Sequence, residues 1–84
     1  MTLNLKAKLI EAVELARAGE WQKAHAIVQD HESDRHASWI HAAVHRQEGD
    51  LDNARYWYGR AGQALRAELP IRAELDEIRA DLGR

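Results

Sequence analysis

The apolar residues of this chain recur three and four apart, and the runs they form are cut by glycines and by one proline; nowhere do they alternate. That periodicity places them along one face of a helix, whereas a half-buried strand needs a period of two. Valine and isoleucine are scattered, there is one threonine, and there is no phenylalanine. Alanine, leucine, arginine and glutamate dominate, and these side chains lose least on entering a helix. The chain therefore reads as all-α, built from about five short helices.

The first helix is expected from about Asn4 to Ala18, with Leu5, Leu9, Val13 and Ala16 in register and Ile10 widening the stripe. Gly19 then supplies a left-handed residue that ends it. A second helix runs from Glu20 or Trp21 to about Gln29, its apolar face being Trp21, Ala24, Ile27 and Val28. The polar stretch from Asp30 to Asp34 is a turn with good cap residues. A third helix spans Arg35 to Glu48 and is closed by Gly49. Asp50 caps the fourth, which turns Ala54, Trp57, Tyr58 and Ala61 inward and is weakened at its end by Gly59 and Gly62; a close backbone approach, or a frayed end, would explain their being tolerated. Pro70 suits a first helical turn, so a fifth helix is expected over Pro70 to Leu82. Its stripe of Ile71, Leu75, Ile78 and Leu82 is the most strongly amphipathic in the chain, with Arg72, Glu74, Asp76, Glu77, Arg79 and Asp81 on the solvated side.

With 84 residues, 45% hydrophobic and 31% charged, residues 1–84 form one small helical domain. The net charge of −2 speaks against nucleic acid as a partner. The lack of cysteine excludes disulfides, thiolate metal sites and cysteine nucleophiles. No apolar run reaches the roughly 20 residues that span a bilayer, so no membrane partner is expected. The opening residues, Met1 to Lys6, show neither a basic leader nor a cleavage site, and the chain reads as cytoplasmic.

Two segments repeat a pattern: Gly19-Glu20-Trp21-Gln22-Lys23-Ala24 and Gly49-Asp50-Leu51-Asp52-Asn53-Ala54. In each, glycine makes a tight turn, the acid caps the following helix, and alanine lets paired helices approach. The pattern resembles the middle of a tetratricopeptide-type repeat, a helical hairpin that stacks into solenoids. Ala42, Ala54, Tyr58 and Ala61 fit that repeat. The glycines stand 30 apart (49 − 19), short of the usual period of about 34, and His41 and His45 replace large apolar residues. The resemblance implies two antiparallel hairpins, with the fifth helix capping the exposed apolar end. The stretch from Trp39 to Asp50, continued by Asn53 to Tyr58, is also similar to a family of small microbial proteins of uncharacterised function; that likeness implies no activity.

His41 and His45 lie four apart on one helix and project from one face, and Glu48 follows three residues on. His-x-x-x-His-x-x-Glu at this spacing offers ligands to zinc or another divalent ion, with His25 of the preceding hairpin as a further ligand. Ala42 stands where a helical metalloprotease carries its general-base glutamate, which excludes that class. The competing reading gives these histidines hydrogen-bonding roles within the fold and needs no cofactor. His31 and His36 sit near a turn and are expected in solvent. Tyr56, Trp57 and Tyr58 cannot share one direction: Trp57 and Tyr58 face the core, and Tyr56 an edge. An alternative groove would use Trp39, Tyr56, His41 and His45 to recognise a peptide or small molecule. Arg46 with Glu48, and Arg55 or Arg60 with nearby acids, are candidate anchors for an anion. Ser38 and His41 share a helix without an orienting acid or oxyanion hole, so hydrolase chemistry is unsupported.

Two functions compete. The first is a non-enzymatic interaction module that binds a protein partner or self-associates, one version being a homodimer through the Pro70–Leu82 helix. The second is a small ligand- or metal-binding protein, an enzyme being one form of it, centred on His41, His45 and Glu48.

Overall fold

The computed structural model describes residues 3–84. Five α-helices follow one another: α1 (Leu3–Arg17), α2 (Trp21–Val28), α3 (Arg35–Glu48), α4 (Leu51–Ala61) and α5 (Ile71–Leu82), with no strand among the described residues. The bounds of α3 are those expected. α2 stops one residue early because Gln29–His31 tighten into a 3₁₀ turn. Pro70 stands just outside α5 with extended backbone (φ −56°, ψ 137°) instead of inside its first turn.

Glycine ends three of the helices in the same way. Gly49 has φ +90°, its N–H donates to the Arg46 carbonyl at 3.1 Å, and the next N–H, of Asp50, reaches back to His45 at 2.9 Å. This paired closure of the last turn needs a left-handed residue, which only glycine adopts without steric cost. Gly19 and Gly62 repeat it. Gly62 is thus a terminator, while Gly59 has no non-neighbouring atom within 4 Å of the place a Cβ would take, so no close approach accounts for it. The two repeated acids differ. Asp50 accepts from the Asn53 N–H at 3.3 Å and caps α4. Glu20 makes no cap and pairs with Lys23 at 3.2 Å.

Tight turns fold α2 back on α1 and α4 back on α3, giving two hairpins. α3 is the hub, packed against α1, α2, α4 and α5. Many core residues are alanines (Ala12, Ala16, Ala24, Ala37, Ala42, Ala43, Ala54 and Ala61), which bring helix backbones close; Leu9, Ile40, Val44, Leu75 and Ile78 fill the space between them. Each of these larger side chains contributes about 1.5–3 kcal/mol on burial. α5 lies against α1 and α3, across the first helices of both hairpins, and does not stack as a cap on the end of the second. Its stripe of Leu75, Ile78 and Leu82 is buried inside the chain, so a dimer through that face would have to unpack the core.

Glu74 is not on the solvated side of α5. It is 1% exposed and takes hydrogen bonds from Trp39 Nε1–H (3.0 Å), Tyr58 O–H (2.7 Å) and the Arg46 guanidinium (2.8 Å). Arg46 also donates to the carbonyls of Ala67 and Leu69, tying down the connection between α4 and α5. It therefore pairs with Glu74 rather than Glu48, and serves the fold instead of an anion. His36, expected in solvent, is largely buried against α5 and bonds Asp81 at 2.7 Å; His31 is half-buried. No helix among the described residues is long and apolar enough to cross a membrane.

Candidate functional site

The opposite side of α3 from Glu74 carries a cluster of imidazoles. Helical spacing stacks His41 and His45 one turn apart, with ring centroids 5.0 Å apart and planes inclined by only 17°. α2 packs on α3 and brings His25 edge-on to both rings, at 4.7 Å from His41 and 5.3 Å from His45. α4 supplies Trp57 from the other flank, stacked on His41 at 3.9 Å. His41 is thus sandwiched between His45 and Trp57 and is 3% exposed, whereas His25, His45 and Trp57 keep a partly exposed edge.

The polar contacts of this cluster are unusual for buried histidine. His41 Nε2 meets His25 Nε2 at 3.1 Å, a hydrogen bond in which one ring nitrogen donates and the other accepts according to the tautomer. His41 Nδ1 has no hydrogen-bond partner among the described residues. His45 Nδ1 donates to Glu48 Oε1 at 3.0 Å; in the neutral ring this tautomer puts the lone pair on Nε2. Burial, followed by repulsion from His25 and His45, holds His41 down at about 4. His25 is also lowered, first by burial and then by His45, with Glu48 opposing. Near neutral pH, His25 and His41 are uncharged Lewis bases.

A donor nitrogen from each of His25, His41 and His45 falls within one sphere of contacts, all pairwise separations being 4.8 Å or less. His45, Glu48 and Asp50 form a second such group. There Asp50 is already engaged as the α4 cap, also accepting from Asn53 Nδ2 at 2.6 Å, and these Asn53 bonds hold its carboxyl below the ordinary value.

The expected ligand set is therefore rearranged. His41 and His45 come together as their spacing requires, and His25 joins them directly. Glu48 reaches His45 and belongs to the second group. Trp39, two residues before His41, points to the other face of α3 and is held by Glu74. Tyr56 is 56% exposed and packs edge-on against Trp57 at 5.1 Å, so the aromatic wall against the histidines is Trp57. Arg60 lies over both rings, 5.5 Å from Trp57 and 5.9 Å from Tyr56, and donates to the Glu32 carbonyl. Arg55 pairs with Asp52 in solvent. Ser38 donates to the Glu32 carbonyl at 3.3 Å. The described residues enclose no pocket, and the histidines and aromatics form a seam at the surface.

Fold and seam together define a small all-α protein with an imidazole–indole cluster between its second and fourth helices. No family model, no curated protein and no solved structure matches the chain.

Proposed function

We propose that this chain is a non-enzymatic helical interaction module that binds a protein partner, or a second copy of itself, along the seam between α2 and α4. The observation that carries the reading is the group of Tyr56, Trp57 and Arg60. Tyr56 is 56% exposed, Trp57 presents its free edge beside it, and Arg60 covers both rings. Tyrosine, tryptophan and arginine are the residue types that concentrate binding energy at protein interfaces. Leu51, 42% exposed on the same helix, adds apolar area. α2 and α4 each lean on α3 and not on one another, which leaves the strip between them for a partner.

The test is recovery of a partner from the host lysate on immobilised protein, compared with a Tyr56→Ser/Arg60→Ala variant, beside light scattering at micromolar concentration. Both substitutions are exposed and leave the core intact. The expected result is a partner or a dimer seen with the wild type and lost in the variant. A strict monomer that recovers nothing, or recovers the same proteins as the variant, overturns the reading.

A further inference from the structure

We propose that His25, His41 and His45 bind a divalent transition-metal ion of zinc's class, which clips α2 to α3. The inference is independent of a protein partner and rests on the donor geometry. Three imidazoles from two helices place their nitrogens within 4.8 Å of one another. Two of those nitrogens, Nε2 of His25 and of His41, are 3.1 Å apart. Zinc–imidazole bonds of about 2.0–2.1 Å in tetrahedral array set neighbouring donors about 3.3 Å apart, so this pair already spans one edge of the polyhedron.

The chain gives His41 little other reason to be where it is. Its ring is buried and its Nε2 faces only a second imidazole; Nδ1, which no described residue satisfies, lies on the other side of the ring and takes no part in the site. A buried histidine serving the fold is expected to bond a carbonyl or carboxylate, as His36 does with Asp81. A metal ion would take up the lone pairs of both nitrogens in place of the one proton that the His25–His41 hydrogen bond shares.

Glu48 completes the arrangement from outside. By accepting from His45 Nδ1–H it selects the tautomer whose Nε2 is free to ligate, the role carboxylates play behind metal-bound histidines. All-nitrogen donors favour zinc, cobalt, nickel or copper over calcium and magnesium, which take oxygen. Two adjustments are required. The His25–His41 hydrogen bond aims one ring nitrogen at the other, so these rings must tilt toward a common point. The His41 and His45 planes are nearly parallel, so their in-plane lone pairs do not converge. Binding must turn the His45 ring about its side-chain bonds, and its exposed carboxylate partner is free to follow.

The experiment uses untagged protein stripped with chelator, titrated with zinc(II) by calorimetry and with cobalt(II) by visible absorption. The expected result is one-to-one uptake, an intense tetrahedral cobalt spectrum and a rise in melting temperature with zinc. His25→Ala and His45→Ala each weaken binding by about a hundredfold or more, and Glu48→Gln by about tenfold. His31→Ala, which removes a histidine outside the cluster, leaves it unchanged. Absence of saturable one-to-one uptake by the wild type overturns the proposal whatever the variants do. So does an affinity that His25→Ala leaves intact, or that His31→Ala lowers equally.

Discussion

Glu74 accepts hydrogen bonds from Trp39, Arg46 and Tyr58 while 1% exposed, so its charge is stabilised by those three donors and not by water. Removing one partner of such a pair leaves the other charge uncompensated, at a cost of about 3–5 kcal/mol. A chain of 84 residues has a total stability of about 4–13 kcal/mol. Glu74→Ala is therefore expected to remove a large share of that stability, about 3–5 kcal/mol, while Glu74→Gln, which keeps an acceptor, loses less. Urea melts of the two variants check the order; equal midpoints for wild type and Glu74→Ala would falsify the role. Tyr58 belongs to the same junction, bonded to Glu74 beside Arg46. Burial and the Glu74 carboxylate raise its hydroxyl above the ordinary value of 10.0, against a smaller opposing effect of Arg46. The folded state then keeps a proton that the unfolded state releases. That contribution is whole below pH 10 and is lost as pH rises beyond it. Tyr58→Phe should flatten the alkaline limb of stability against pH, and an unchanged slope above pH 10 would remove Tyr58 from the account.

At the scale of the element, most of the helices were legible because their determinants are local. The Gly49 turn, the Asp50 cap and the stripe of Ile71, Leu75, Ile78 and Leu82 all act within a few residues of themselves. Glu74 was misplaced for a non-local reason. It lies three residues after Ile71 and four before Ile78, on the buried face, but its donors come from α3 and α4. A signal was present: Trp39 and Arg46 are seven apart, two turns along one face of α3, a pattern that becomes a binding pair for a carboxylate only once α5 is known to cross there. The histidine cluster divides similarly. His41 and His45 follow from spacing, whereas Trp57 enters only through the packing of α4 on α3. The glycines give a prediction of opposite signs. Gly49→Ala forces an alanine to φ +90° and should cost about 1–2 kcal/mol. Gly59→Ala meets open space at ordinary helical φ and should stabilise by about 0.5–1 kcal/mol. Thermal melts of the pair decide this, and a loss at Gly59 equal to that at Gly49 contradicts it.

For the molecule as a whole, the position of α3 decides how the structure comes apart. It touches every other helix, so exposing its amides means detaching all four neighbours, which is global unfolding. α2 has eight residues, and its links are to α1, α3 and the 3₁₀ turn. It is therefore expected to open in a smaller step, one that breaks the His25–His41 hydrogen bond and leaves the Glu74 junction closed. Native-state hydrogen exchange should therefore find its slowest amides within Ile40–Val44, at the free energy of global unfolding, and faster ones in α2. A metal held by His25, His41 and His45 would tie α2 to that hub, so zinc should slow exchange in α2 more than in α5, where no ligand resides. α2 amides as slow as those of α3 without metal would show that the hub does not control opening. A zinc effect spread evenly over the chain would show that any ion bound acts elsewhere than between α2 and α3.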